Sequence, residues 1–132
     1  MTIFIDTSAF YAMLDRDDVN NQRAKDIWIN LVETETPLIT SNYILIETFA
    51  LLQHRLGIAA LQAFYSDVLS LVHQHWLDKE DHEAALAAIL VAQKRDLSFV
   101  DTSSFQIMRR LGLNEVFTFD AHFSQHGFVI IS

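Results

Sequence analysis

Four acidic residues each stand in or beside an apolar stretch, at four separate places along the chain. Asp6 closes Thr2-Ile3-Phe4-Ile5, and Glu47 interrupts the run from Tyr43 to Leu52. Asp101 follows Leu97-Ser98-Phe99-Val100, and Asp120 follows Val116-Phe117-Thr118-Phe119. A carboxylate drawn out of water among apolar side chains is destabilising unless it caps a helix, meets a cation or holds a metal. One such residue says little. Four of them restrict the chain to folds in which the acids cap separate elements or converge on a shared cation.

Capping or turn formation accounts for three of the acids when each is taken alone. Asp6 can cap a helix beginning near Ser8, and Asp101 or Thr102 can start the helix that ends at Leu111-Gly112. Asp120 opens Asp120-Ala121-His122-Phe123 as a turn-forming residue. Glu47 has no local ion pair, because its same-face neighbours on a helix are Tyr43, Ile44, Ala50 and Leu51, none of them a cation, and its bland account is a solvent-exposed patch on an otherwise apolar helix. A shared acidic cluster explains all four together. Two carboxylates about 5 Å apart repel by roughly 3 kcal/mol at an effective dielectric near 20. Four need counter-charge to stay ionised, and hard oxygen ligands favour Mg2+ or Mn2+, as one or two ions.

The apolar spacing orders the elements. Residues 2–5 read as a buried strand, 9–14 as a short helix and 15–21 as a loop. Residues 22–32 carry Ala24, Ile27, Trp28 and Leu31 at helical spacing. Leu38-Ile39 is a short strand, and Thr40 or Ser41 caps a helix running to about Leu56, stopped by Gly57. A helix over 59–69, a strand over 71–77 and an Ala-rich helix over 81–94 capped by Asp78 follow. The helix after Asp101 leads to final strands at 116–119 and 128–131. The fold class is α/β, a single domain over residues 1–132 with a small, mostly parallel central sheet between helices. With 3 Gly and 1 Pro, no segment reads as a linker. In such sheets the functional crevice lies beyond the carboxyl ends of the strands. Asp6 and Asp120 fall there, Asp101 lies at or near a helix start, and Glu47 sits roughly two turns into its helix.

Other chemistries find less support. The chain has no cysteine, which excludes disulfides, thiolate metal sites and a cysteine nucleophile. Ser8, Ser103 and Ser104 lack ordered His–Asp partners, and no glycine-rich phosphate loop is present. His73 with His75, and His122 with His126, have spacings that permit zinc but no clear third ligand, and read as surface or packing histidines. Nothing at the start resembles a secretory signal, and the longest apolar run, Ala84 to Ala92, is too short to span a bilayer. A cytoplasmic location with no membrane contact is expected. The net charge of −8 argues against a basic field for nucleic acid. Two divalent ions would halve it, so a polyanionic substrate must be held by metal and a few local cations. Lys94, Arg95, Arg109 and Arg110 are the nearest in sequence to Asp101. The apolar fraction of 51% calls for either a large core or a subunit interface.

Phe4-Ile5-Asp6-Thr7-Ser8-Ala9-Phe10, Thr40-Ser41-Asn42-Tyr43-Ile44-Leu45-Ile46-Glu47, Leu97 through Phe105 and Val116 through Phe123 occur in that order across the whole chain. Together they resemble the motifs of the PIN-domain ribonucleases, most closely the small stand-alone VapC-type toxins of toxin–antitoxin pairs. The resemblance implies a PIN-like three-layer α/β/α fold. It implies that Asp6 and Asp101 are the main metal ligands, with Glu47 and Asp120 completing the pocket, directly or through water. Ser8 and Thr118 match hydroxyl positions beside the site, and Asn42 matches a polar position at the start of the second motif's helix. The implied activity is metal-dependent hydrolysis of RNA, leaving a 5′ phosphate and a 3′ hydroxyl. The implied partners are an RNA substrate, a cognate antitoxin protein and a second copy of the chain. Apolar helix faces in Tyr43–Leu56 or Ala84–Ala92 are the candidate dimer contacts. The rival reading is a PIN-fold interaction module with little or no turnover, which the acidic charge favours and the intact set of four acids opposes. A receiver-type phospho-acceptor lacks its acidic pair and its later lysine.

Overall fold

Five short strands run side by side in one direction: β1 (Ile3–Ile5), β2 (Leu38–Ser41), β3 (His73–His75), β4 (Glu115–Phe117) and β5 (Val129–Ile131). This computed structural model describes all 132 residues, Met1–Ser132. The strand order is β3-β2-β1-β4-β5, and every pairing is parallel, so the sheet is wholly and not just mostly parallel. Ile3, Phe4 and Ile5 are all buried, as befits a central strand covered on both faces. Seven helices complete the α/β/α layers: α1 (Thr7–Leu14), α2 (Asn21–Glu33), α3 (Asn42–Arg55), α4 (Ile58–Ala63), α5 (Lys79–Ala92), α6 (Phe99–Arg110) and α7 (His122–Gln125).

The helix starts follow the chemistry of their caps. Asp6 accepts from the Ser8 amide and Ser41 from the Ile44 amide. Asp78 and Asp81 cap α5 reciprocally. One expectation is corrected. Neither Asp101 nor Thr102 caps α6; Ser98 does, its hydroxyl accepting from the Asp101 amide at 3.0 Å. Asp101 therefore lies inside the first turn, where the helix dipole favours a negative charge.

The expected single helix over 59–69 is broken in three. After α4 the chain makes a wide π-type turn over Phe64–Val68 and a tight 3-10 turn over Leu69–Leu71. The wide turn brings Phe64, Val68 and Leu69 inward together, all buried. Phe64 meets the edges of Phe10 and Phe49 at ring-centroid distances of 4.9 and 5.6 Å. The strand expected over 71–77 shortens to His73–His75 at the sheet edge, and β4 stops at Phe117, leaving Asp120 in the turn beyond it.

Helix α5 packs along α6, and Asp81 links them. Its carboxylate takes the Asp78 amide at 3.2 Å and pairs with Arg110, and it is nearly buried whereas Arg110 is half-exposed. Asp81→Ala is expected to lower stability by about 1–2 kcal/mol through loss of the reciprocal cap. Arg110→Ala should cost less than about 1 kcal/mol, because the lost guanidinium is more than half exposed and the Asp78 amide still serves the Asp81 carboxylate. Urea unfolding of the two variants checks the order; equal losses would place the stabilisation in the ion pair instead of the cap.

Candidate active site

The chain steps outward from β1 to β2 to β3, then returns to the other side of β1 to form β4. A parallel sheet opens a crevice beyond the carboxyl ends of the strands where its order reverses. Asp6 leaves β1 at that seam, and its amide donates to the Phe117 carbonyl of β4 at 3.1 Å. The Asp6 side chain is 4% exposed. Its Oδ2 accepts from the Thr118 hydroxyl at 2.9 Å and the Ser8 hydroxyl at 3.0 Å. Each hydroxyl carries one proton, so with both given to Oδ2 the 3.0 Å approach of Ser8 Oγ to Thr118 Oγ1 adds no further bond. As acceptors the same oxygens take the Phe119 amide at 2.9 Å and the Asp120 amide at 3.0 Å. Two hydroxyls thus staple the end of β4 to the carboxylate that ends β1. Asp6 Oδ1 receives no hydrogen bond from the protein.

Buried threonines set the position of Glu47. Thr48 Oγ1 donates to Thr7 Oγ1 at 3.1 Å, tying α3 to α1, and Thr40 Oγ1 donates to the Ile5 carbonyl at 2.8 Å. Asp6, Ser8, Glu47, Asp101 and Asp120 line one open cleft of about 390 Å³. All four sequence-derived acids therefore meet, with Ser8 beside them and Thr118 behind Asp6. Asn42 does not line the cleft. Its Oδ1 accepts the Leu77 amide at 2.7 Å, joining the start of α3 to the segment after β3.

No lysine or arginine lines the cleft. Arg110 is paired with Asp81, and Arg109 donates to the His126 carbonyl and lies over the Phe128 ring. Burial pushes the Asp6 carboxyl up to about 6, and the Glu47 charge adds to it, against the lowering by the Thr118 and Ser8 donors. Burial also pushes Asp101 up to about 7, reinforced by the charges of Asp6, Asp120 and Glu47. Hard oxygen donors, the absence of a protein cation and a carboxylate oxygen without a donor fit a bound divalent metal.

Sequence reasoning passed over several lining groups. Asp18 and Asn20 enter from the loop after α1, and Thr7, Tyr11, Leu51, Ser98 and Phe119 complete the wall. The Ser98-x-x-Asp101 spacing carried the capping signal; the Asp-rich loop carried none beyond its charge. His122 is a further group whose surroundings the sequence did not show. Its Nδ1 lies 2.9 Å from Asp120 Oδ1, a contact with one of the four acids that the sequence did not disclose.

The PIN domain sequence profile matches residues 3–129. The chain belongs to the PIN domain family. It is 34% identical over 132 residues to the 23S rRNA-specific endonuclease VapC20 of Mycobacterium tuberculosis, spanning 96% of this chain and 95% of that protein. The crystal structure of that VapC20, described as a Sarcin-Ricin loop cleaving toxin, matches this PIN domain with a TM-score of 0.84 and 33% identity over 96% of both chains. At lower identity the fold alone is shared. FitAcB of Neisseria gonorrhoeae gives a TM-score of 0.70 at 14% identity, covering 100% of this chain and 97% of that one. PAE2754 of Pyrobaculum aerophilum gives 0.63 at 20%, covering 98% and 89%.

In chelator, this PIN domain should become more stable as pH falls. Asp6 and Asp101 bind protons more tightly folded, near 6 and 7, than unfolded, near 3.8. Their contribution is therefore complete near the unfolded value and is lost as pH rises through the folded ones. Thermal melts in EDTA should show Tm rising from pH 8 toward pH 5, with a shallower rise in Asp101→Asn. A divalent metal should raise Tm most at the alkaline end, where the acids are ionised. A Tm in EDTA that climbs with pH over this window would contradict the assigned shifts.

Proposed function

We propose that this PIN domain is a divalent-metal-dependent endoribonuclease and the toxin of a toxin–antitoxin pair. The observation that carries the reading is the meeting of four carboxylates, with no protein cation among them, at the switch point of the sheet. The 34% identity to an rRNA endonuclease supports the substrate class. A ribosomal RNA loop of the sarcin-ricin kind is the first substrate to try.

Asp6, Asp101, Glu47 and Asp120 are the residues that would hold one or two ions, Mg2+ or Mn2+. When bound, such an ion supplies the Lewis acidity that makes water a nucleophile and eases departure of the 3′ oxygen. Ser8 and Thr118 fix Asp6 Oδ2 and leave Oδ1 for the cation. Asp120 is held by its own amide through Thr118, and Asp101 by Ser98 through its amide. The bare cleft is anionic, so without metal it repels the RNA backbone and binding fails together with chemistry.

The partners are RNA, a small antitoxin protein and a second copy of the chain. Ile46 on α3 and Leu86, Leu90 and Val91 on α5 are exposed apolar residues suited to a subunit face. No helix is long and apolar enough to cross a membrane, and a ribosomal substrate would place the protein in the cytoplasm. The net charge of −8 favours the second reading, an interaction module with little turnover.

Cleavage of purified ribosomes and of mixed RNA, with Mg2+ or Mn2+ and with EDTA, separates the two. Metal-dependent cleavage should leave 5′ phosphates and vanish in Asp6→Asn with the circular dichroism unchanged. Thr118→Val, which removes one donor to Asp6, should lose about 10–100-fold in activity. Undiminished cleavage by Asp6→Asn would remove the assigned site, and metal binding without any cleavage would favour the interaction module.

A further inference from the structure

Of the six histidines, one lies beside two acids of the cleft, Asp101 and Asp120. A ring nitrogen of His122 and carboxylate oxygens of Asp101 and Asp120 all lie within 4.8 Å of one another. The turn Asp120-Ala121-His122 folds the imidazole back onto the carboxylate before it. The His122 amide donates to Asp120 Oδ1 at 2.9 Å, and Nδ1 lies 2.9 Å from the same oxygen. Phe123, wholly buried, pins the short helix α7 that carries the ring. His126, one turn further on, stacks on Phe105 with ring centroids 4.3 Å apart and is a packing residue.

His122 Nδ1 is shut off from solvent and makes no hydrogen bond. Its approach to Asp120 Oδ1 is close, but the direction of approach does not meet hydrogen-bond geometry. If Nδ1 carries a proton, a buried donor is left without an aligned acceptor. If it carries the lone pair, that lone pair meets a carboxylate oxygen. A cation lying against both atoms relieves the second situation, in which Nδ1 presents its lone pair. Neighbouring ligand atoms on an octahedral ion with bonds of about 2.1 Å are about 3 Å apart, which is the spacing of His122 Nδ1 and Asp120 Oδ1. The other ring nitrogen, Nε2, lies 3.8 Å from Asp96 Oδ2, beyond direct hydrogen-bond reach. A carboxylate on the far side of the ring is the usual partner of a metal-binding imidazole.

We propose that His122 is a nitrogen ligand of the ion held in the acidic cleft, beside Asp101 and Asp120. The assignment rests on the metal-dependent reading above and deepens it. Mg2+ prefers oxygen, whereas first-row transition ions accept imidazole. His122 therefore tilts the site toward a transition ion and away from Mg2+.

Pulsed EPR of the full chain with substoichiometric Mn2+ tests this directly. Bound Mn2+ should show the 14N coupling of a coordinated imidazole, and His122→Gln should abolish it. Calorimetry should show Mn2+ affinity falling about tenfold in His122→Gln, with Mg2+ affinity unchanged. The wild-type spectrum is decisive without any variant. Mn2+ bound with no 14N coupling overturns the histidine ligand and leaves the carboxylate site standing, as does coupling that persists in His122→Gln. Failure of Mn2+ to bind at all overturns both the ligand and the metal-dependent reading beneath it.

Discussion

The burial of Asp6 at the seam between β1 and β4 sets the terms for everything around it. A carboxylate that is 4% exposed needs donors on its inner oxygen, and the two hydroxyls that provide them come from different parts of the chain. Ser8 lies on α1, and Thr118 lies just past β4. Because each hydroxyl also accepts a backbone amide, the pair orders Phe119 and Asp120 as it satisfies Asp6. A structural need of one acid thus becomes the positioning device for another. The same bonds leave Asp6 Oδ1 without a protein donor, so the fold's solution for one oxygen defines what the other is free to bind.

The charges add a second constraint. Asp101 gains from the dipole of α6 but faces Asp6, Asp120 and Glu47, and the sum of burial and repulsion prevails over the Ser98 hydrogen bond. Nearby arginines do not relieve this, since Arg109 and Arg110 are engaged with His126, Phe128 and Asp81 on the sides of the helices away from the cleft. The cluster is therefore stable with fewer charges or with a foreign cation. With no lysine or arginine lining the cleft, the protein itself offers these carboxylates no counter-charge there.

How far the sequence disclosed this depended on how local each signal was. Asp6, Glu47, Asp101 and Asp120 stood out because apolar neighbours made them anomalous, and the alternation of strands and helices placed them at one end of the sheet. Ser98 was hidden by its apolar surroundings, although its three-residue spacing to Asp101 is the mark of a cap. Asn42 stands where its motif put it, at the start of α3, but that its side-chain oxygen serves the Leu77 amide is a contact between distant segments that the motif does not encode. The break after Ala63 depends on Phe64 meeting Phe10 and Phe49, contacts between distant segments that helical periodicity does not encode.

His122 shows the limit most clearly. Spacing ties it to His126, one helical turn away, and that pairing pointed to zinc or to nothing. In three dimensions the two rings part: His126 stacks, half-buried, on Phe105, and His122 turns back over Asp120. The backbone bond from the His122 amide to Asp120 Oδ1 makes the difference, because a two-residue turn brings a ring nitrogen and a carboxylate oxygen to the same side. A turn-forming aspartate and a candidate ligand are then not alternative descriptions of Asp120. The turn fixes one oxygen of the carboxylate, and in doing so delivers the histidine to the acids.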